Sequence, residues 1–276
     1  MRAKYLLYNF FYVWRSIFRN IKANGELLKQ FVYISLTGQF KKTILGNAWL
    51  VFDPILSLII WLMLHRSGVF DPGHTEIPYP AYILINISIW TFFSAFFDNI
   101  GKSVSESGQM LLEVSFPLEV KVAEKILINI INFTIPLLVI LIVLPFLGVH
   151  FKLSSFLIIP ALIPLVLFGT GIGMFFSLIE VVLHDIFVLM KRTFRLLMYI
   201  TPVVYSNDVN SSLLQKIIKH NPLTYLISVP RDLLIGIKPA YMQGFWISTL
   251  IVTLFFIIVV QFYYFSVNKI VEKILE

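Results

Sequence analysis

The chain has 276 residues, of which 58% are apolar, 16% are aromatic and 13% are charged, and its formal net charge is +7. A soluble domain carries about 25% charged and about 45–50% apolar residues, so this composition excludes an ordinary cytosolic enzyme and a disordered chain. The lack of cysteine excludes a secreted disulfide scaffold. The sequence therefore predicts an all-α polytopic membrane protein, with its excess of basic residues on the cytoplasmic side and near anionic lipid head groups.

Two amphipathic segments precede the first apolar segment. Residues 1–20 alternate basic residues with aromatic and aliphatic ones, and no small-residue cleavage site follows them. This pattern favours an interfacial helix in the headgroup region over a cleaved signal peptide. A second amphipathic stretch over residues 25–46 leads into the first span. We therefore expect residues 1–44 to form a cytoplasmic, amphipathic interface region.

Six apolar segments follow, at about residues 45–64, 80–98, 126–151, 153–179, 186–206 and 243–267. We expect each to cross the membrane as a helix, which gives a single transmembrane domain with a six-span core over 45–267 and a tail over 268–276. If the N-terminus is cytoplasmic, the segments on that side hold 16 of the 22 Lys and Arg residues and the outer segments hold 6. This asymmetry predicts that both termini are cytoplasmic.

Two further features of the sequence predict local structure, one inside the fourth span and one in a connection. Gly169, Gly171 and Gly173 lie inside the fourth span, with no preceding strand, so they predict close approach of helix backbones rather than a dinucleotide-binding loop. The long connection between spans five and six holds two short apolar-periodic pieces, broken at Asn221-Pro222. Each piece, 213–218 and 223–235, is too short to span, so we expect interfacial or re-entrant helices on the outer face.

Four charged residues lie within or beside the predicted spans. Asp53 is inside the first span, where it either faces a cavity or partner or lies near the cytoplasmic boundary as a helix cap. The other three, Lys191, Arg192 and Arg195, lie in the first half of the fifth span. They are either ordinary juxtamembrane charges or a cationic patch at the inner end of a pathway, suited to the diphosphate of a lipid carrier.

Aromatic residues crowd spans one, two and five. Aromatic faces stack on the apolar C–H faces of sugar rings, while Tyr and Trp also offer a polar group. A pathway lined in this way passes a neutral, amphipathic polymer without binding it tightly. The candidate pathway residues are Trp49, Phe52, Asp53, Trp90, Phe93, Phe97, Phe194, Tyr199 and Tyr205.

A series of short motifs also occurs in a distinctive order over about residues 30–240. They are Lys42-Thr-Ile-Leu-Gly46-Asn-Ala-Trp49 with Asp53-Pro54, Tyr79-Pro80 with Ile89-Trp90-Thr-Phe92-Phe93-Ser94, Phe116-Pro117, His184-Asp185, Thr201-Pro202-Val-Val-Tyr205, and Asn221-Pro222-Leu-Thr with Arg231. In this order the chain resembles the membrane subunit of type-2 ABC exporters, which move lipid-linked polysaccharides. The Trp-x-Phe-Phe-Ser version after Tyr-Pro looks more like the O-antigen branch than the teichoic-acid branch.

The resemblance implies a half-transporter in the bacterial inner membrane. Two copies would pair around a channel built largely from spans one and five, and two copies of a separate ATPase subunit, carrying ATP and Mg²⁺, would dock underneath. The docking elements map to an amphipathic helix at 27–43, a coupling helix at about 103–116 and the turn at His184-Asp185. The corresponding residues are Gln39, Lys41, Glu106, Met110, Glu113, His184 and Asp185, and the periplasmic gate would contain Asn221, Pro222 and Arg231.

We therefore expect the permease subunit of an ATP-driven exporter of undecaprenyl-diphosphate-linked O-antigen, with no catalytic, cofactor or metal site of its own and no nucleic-acid partner. Wall teichoic acid and capsular polysaccharide are alternative substrates. A membrane-embedded enzyme acting on a lipid-linked sugar is a different class, for which Asp98, Asp208 and His220 are available but unclustered in the sequence. An ion-coupled carrier is disfavoured because spans three, four and six lack a chain of charges.

Overall fold

The computed structural model describes residues 2–39, 41, 43–108, 116–206 and 212–275, apart from the side chains of residues 2–9, 268 and 271–275. Within these residues the regular structure is helical and no strand is present. The helices are α1 (Arg2–Ala23), α2 (Gly25–Gly38), α3 (Trp49–Arg66), α4 (Tyr79–Gly101), α5 (Leu118–Phe146), the short α6 (Ile158–Ala161), α7 (Ile163–Glu180), α8 (His184–Ile200), α9 (Ser212–His220), α10 (Pro222–Leu234) and α11 (Met242–Leu275), with 3₁₀ turns at Gly46–Ala48, Ser105–Ser107 and Leu153–Leu157.

Five of the six predicted spans correspond to helices long and apolar enough to cross a membrane. These are Gly46–Arg66, Tyr79–Gly101, Leu118–Phe146, Leu153–Glu180 and Met242–Val267. The predicted fifth span corresponds to α8, which has 17 residues and carries three cations. By length and composition alone, the described residues therefore support an all-α polytopic membrane protein with five candidate spans.

The two N-terminal helices pack against the rest of the bundle and each contributes a buried side chain to the hydrophobic core, Val13 from α1 and Phe31 from α2. The ring of Phe31 in α2 meets that of Phe116 edge-on, with centroids 5.3 Å apart. The hydroxyl of Ser35 donates to the buried carboxylate of Glu124 at 2.5 Å. In α1, Ser16 accepts a hydrogen bond from the hydroxyl of Tyr264 in α11 at 3.0 Å. Both amphipathic helices are thus fixed to the spans by their inward faces.

Helix α4 is the centre of the bundle and is buried along most of its length. Its closest neighbour is α7, whose glycines remove the side chains that would otherwise separate the two backbones. A Cβ atom at Gly169 would lie 2.7 Å from the Cβ of Phe96, and one at Gly173 would lie 2.8 Å from the Cβ of Ile100. The predicted role of these glycines in helix approach is confirmed. Gly171 instead faces the ring of Phe255 in α11.

The segment 184–206 follows α4 in the opposite direction from its last turn to its first. A Cβ atom at Gly101 would overlap the ring of Phe187, which places the start of α8 beside the end of α4. At the other end, the amide of Asn86 donates to the carbonyl of Val203 at 3.0 Å. Residues 201–206 are not helical, but all six are buried. A helix of 23 residues such as α4 is about 34 Å long, and segment 184–206 covers that length.

Helices α9 and α10 lie at the end of the bundle where α4 begins. The ammonium of Lys152, in the connection between α5 and α7, donates to the carbonyl of Gly236 at 2.8 Å. Asn221 separates α9 from α10, and its side-chain oxygen accepts from the backbone N–H of Leu223 as an N-cap. The two short helices expected around Asn221-Pro222 are therefore present.

The contact between α4 and α7 leads to a test of the fold. Replacing Gly173 by Ala inserts a methyl group against the Cβ of Ile100 and the carbonyl of Phe96, and overpacking of this kind costs about 1–3 kcal/mol. We expect Gly173→Ala to lower the unfolding temperature of the purified protein in detergent. Gly25→Ala is the matched control, because nothing lies within 4 Å of its added methyl group. Equal unfolding temperatures for the two variants would contradict the packing described.

Candidate functional site

A cavity of about 250 Å³ lies between α4 and α8, and it brings together five residues of the sequence-based candidate set. Two of them, Lys191 and Arg195, come from the predicted cationic patch. The other three are aromatic residues of the predicted pathway: Trp90, Phe97 and Phe194. We call this space the inner cavity. It joins ring faces to positive charge, which is the combination expected for an amphipathic glycan attached to a phosphate group.

The aromatic residues of the inner cavity are held by further rings behind them. Phe97 and Phe194 stack with centroids 4.1 Å apart and planes 12° apart. Phe93 is fully buried, with its ring stacked at 5.7 Å from both Phe168 and Phe194. Among the predicted pathway residues, Phe93 thus supports the wall of the cavity and Phe97 with Phe194 forms part of its lining.

The cations of α8 divide into a paired and an unpaired group. The ammonium of Lys191 lies 2.7 Å from one carboxylate oxygen of Asp98, and that of Lys102 lies 3.2 Å from the other. Arg192 and Arg195 are exposed, and neither makes an ion pair with any residue that the structure describes. The sequence did not reveal Asp98 as a partner, because 93 residues separate it from Lys191.

Asp53 lines a second cavity, of about 170 Å³, between α3, α4 and α5. Amide side chains form much of its polar wall. Asn99 donates to Asn129 at 2.6 Å, and Asn132 exchanges two hydrogen bonds with Gln39, at 3.0 and 3.1 Å. Asp53 is exposed, lies near the start of α3 and lines this cavity.

Helices α3 and α8 leave apolar surface uncovered. None of the residues of α3 is buried, and its exposed side chains include Phe52 at 43%. Trp49 lies beside Phe52, with ring centroids 6.5 Å apart. Tyr199 in α8 is 54% exposed, and its ring lies 6.5 Å from that of Trp61 in α3. The exposed parts of the two helices are therefore neighbours on one side of the chain.

Most of the residues predicted to dock an ATPase lie at the end of the bundle where α4 ends. Gln39 lines a surface cavity there together with Asn99 and Lys125. Glu106 is paired with Lys125 at 2.7 Å. His184, at 3.1 Å from Glu180, and the exposed Asp185 begin α8. Lys41 follows α2, its N–H bonded to the carbonyl of Gly38 at 3.2 Å; Met110 and Glu113 lie outside the described residues.

The predicted gate residues lie at the opposite end. The amide of Asn221 donates to the hydroxyl of Thr201 at 2.9 Å, which ties α10 to the non-helical residues after α8. Pro222 begins α10. Arg231 is buried, with its guanidinium over the ring of Tyr82 at 4.8 Å and two hydrogen bonds to one oxygen of Asp232. Burial raises the pKa of the Asp232 carboxyl, and the Arg231 charge opposes that shift.

Of the three residues considered for a membrane-embedded enzyme, the two that the structure describes, Asp98 and His220, lie at opposite ends of the bundle. The carboxylate of Asp98 is occupied by two lysines. The ring nitrogen Nδ1 of His220 lies 2.8 Å from the carbonyl of Lys216 at the opposite end of the bundle. Asp208 lies outside the described residues.

Residues 26–235 of the chain match the family described as ABC-2 type transporter. The chain is similar to two O-antigen export system permease proteins named RfbA from Klebsiella pneumoniae. One is 25% identical over 210 residues, covering 75% of this chain and 80% of that protein, and the other is 24% identical over 233 residues, covering 83% and 88%. An RfbA of Myxococcus xanthus is 21% identical over 206 residues, covering 73% and 77%.

The ion pair at the inner cavity yields a double-mutant prediction. The side chains of Lys191 and Asp98 are 31% and 30% exposed, so solvent screens their attraction, and we expect a coupling energy of about 1 kcal/mol. Asp98→Asn and Lys191→Gln should each lower thermal stability in detergent, while the double variant should lose less than the sum of the two. Additive losses would mean that the two groups do not interact.

Proposed function

Because the chain belongs to the ABC-2 type transporter family, we propose that it is the permease subunit of an ATP-driven exporter of O-antigen carried on undecaprenyl diphosphate. Its named relatives are O-antigen export permeases aligned over most of their length. The observation that carries the assignment of substrate is the inner cavity, in which the stacked rings of Phe97 and Phe194 adjoin the unpaired Arg195. The chain is a transport subunit and not an enzyme; the family implies an ABC ATP-binding subunit as its partner, and ATP and Mg²⁺ would bind there.

The path of segment 184–206 supports a sixth crossing. The chain leaves α7 at the end of the bundle where α4 ends, and it reaches Ser206 at the other end, where the N–H of Ser206 donates to the carbonyl of Pro72 at 2.7 Å. Non-helical backbone at membrane depth is tolerated where protein buries it, and residues 201–206 are buried. Six crossings would agree with the distribution of Lys and Arg and would put both termini in the cytoplasm of a bacterium.

The absence of cysteine allows a direct test of this topology. In spheroplasts, six crossings predict that a single Lys216→Cys is labelled by a membrane-impermeant maleimide and that Lys269→Cys is labelled only after permeabilisation. If segment 184–206 does not cross, the two results are exchanged. Lys152→Cys is the control, because it precedes α7 and is external in both arrangements.

A second copy of this chain is the proposed cover for the exposed faces of α3 and α8. Each face contains large apolar side chains and aromatic residues of the predicted pathway, among them Phe52 and Tyr199. Two copies would place these faces around one channel, with Trp49 and Trp90 of each copy near its inner part. Two ATP-binding subunits would dock below, on α2, on the residues after α4 and on His184-Asp185, and their closure would separate α3 from α8.

Arg192 and Arg195 are the proposed first contacts of the lipid diphosphate. Guanidinium groups form paired, charge-assisted hydrogen bonds with phosphate oxygens, and these two are exposed at the inner part of α8. Lys191 has a different role in this scheme, since its charge is already matched by Asp98. It would hold α8 against α4 while the arginines bind the substrate.

We expect Arg192→Gln with Arg195→Gln to lower O-antigen export at least tenfold, because each lost charge-assisted bond costs about 1.5–3 kcal/mol. The amount of permease–ATPase complex recovered from membranes should not change. Lys216→Gln with Lys219→Gln removes the same charge from exposed positions at the other end and should leave export near the wild-type level. Export is measured as surface O-antigen by immunoblotting; full export by the double arginine variant would remove the phosphate role.

A further inference from the structure

A third cavity, of about 210 Å³, lies at the end of the bundle opposite the inner cavity. We call it the outer cavity. The connection before α4 forms one wall, α10 forms another, and the residues before α11 close its rim. Its lining includes Glu76, Tyr82, Arg231, Asp232, Ile235 and Tyr241. Of these six, Arg231 is the predicted gate residue.

The guanidinium of Arg231 is held in one orientation. Adjacent residues of a helix do not normally face each other, yet the side chain of Arg231 folds back so that Nε and Nη2 donate to the same oxygen of Asp232 at 2.9 and 2.7 Å. The ring of Tyr82 packs against the guanidinium, with Cζ of Arg231 4.8 Å from the ring centroid. These contacts fix the orientation of the guanidinium but leave some of its N–H donors unused.

The remaining nitrogen, Nη1, is buried and has no hydrogen-bond partner within the described part of the chain. Arg231 as a whole is 8% exposed, and a buried donor without a partner is unfavourable. A native group of this kind calls for an explanation. Because Arg231 lines the outer cavity, a ligand there with an acceptor oxygen would satisfy Nη1.

The charges around the outer cavity argue against an anionic ligand. The lining contains one Arg (Arg231), two carboxylates (Asp232 and Glu76) and one His (His74). Counted with histidine as neutral, the formal charge of the lining is −1. A phosphate or diphosphate group would therefore meet more negative than positive charge.

Hydroxyl groups match this lining better. Each hydroxyl both donates and accepts, so one could accept from Nη1 of Arg231 while a neighbouring one donates to the carboxylate of Asp232 or Glu76. The lining also contains the hydroxyl side chains of Thr75 and Ser206, and its apolar part includes Ile235 and the half-buried ring of Tyr241. An aromatic ring beside paired polar groups suits the C–H face and the hydroxyl edge of a sugar ring.

We propose that the outer cavity binds a neutral sugar unit of the glycan as it leaves the membrane domain. Arg231 and Asp232 hold adjacent hydroxyls, and Tyr241 packs on the ring face. The proposal rests on the function proposed above, since it takes the exported glycan as the ligand. It adds a sugar-binding site at the exit to the proposed channel and gate. A site of this kind would oppose backward movement of the polymer between transport cycles.

The test uses a single Ala240→Cys at the rim, labelled with an environment-sensitive fluorophore in an otherwise cysteine-free chain. The permease–ATPase complex in lipid nanodiscs is titrated with lipid-free O-polysaccharide, released by mild acid from the lipopolysaccharide of the bacterium that makes the protein. We expect a saturable change in fluorescence. Inorganic pyrophosphate should produce none, and a response to pyrophosphate that exceeds the response to polysaccharide would overturn the proposal.

Two substitutions identify the residues responsible. Arg231→Gln should raise the Kd for the polysaccharide at least tenfold. Tyr241→Ala provides an independent variant at a less buried position, and it should raise the Kd several-fold even if Arg231→Gln fails to fold. Lys238→Gln is the matched control, because Lys238 is exposed in the same connection and does not line the cavity. Unchanged affinity in Tyr241→Ala or in a folded Arg231→Gln would reject the site.

Export of lipid-linked O-antigen is measured with the same purified complexes after they are reconstituted into proteoliposomes. A wild-type complex that exports the glycan but shows no saturable binding at the label overturns only the outer site. A complex that hydrolyses ATP but exports no glycan overturns the proposed function, and with it the outer site that rests on that function. The two failures are therefore distinguishable.

Discussion

The burial of α4 is the constraint on which the rest of the structure depends. This helix packs against α7 at Gly169 and Gly173, which bring no side chain of α7 between the two backbones. Along its other sides it contacts α3, α5 and α8. Because protein interiors are closely packed and do not deform continuously, a helix held in this way moves as a unit or not at all. The more exposed helices α3 and α8 are then the elements free to change position relative to it.

Helix α8 shows how a segment with three cations is held beside an apolar core. Asp98 supplies a counter-charge for Lys191 near one end of α4. Near the first turn of α4, beside the non-helical residues that follow α8, the hydroxyl of Tyr82 donates to the carbonyl of Tyr205 at 2.7 Å. Tyr79 does the same for Val204 at 3.1 Å. The side chains of α4 thus satisfy carbonyls that a regular helix would satisfy internally.

The sequence predicted the features that depend on local pattern. The long uncharged runs became helices of spanning length, and Asn221-Pro222 marked the break between two short helices, where the structure has an N-cap and a first-turn proline. It did not predict that α8 ends at Ile200 before a buried non-helical stretch. It also missed the partner of Lys191, because ion pairs between distant helices leave no periodic signal. Aromatic content alone did not separate Phe93, which is packed in the core, from Phe194.

The two ends of the proposed pathway differ in charge, and this difference bears on the direction of transport. Arg195 lines the inner cavity and Arg192 lies near it on α8, and neither has an acidic partner among the described residues, so the two would attract the diphosphate of the proposed substrate. At the outer cavity Arg231 is matched by Asp232, so a phosphate gains little by staying. The stacked rings of Phe97 and Phe194 line the inner cavity itself, and such rings would contact sugar faces through dispersion and area burial rather than through directed bonds. In the proposed scheme, a glycan with an anionic head would be attracted by charge where it enters and held by hydroxyl contacts where it leaves, while ATP hydrolysis on the partner subunit would supply the work between the two.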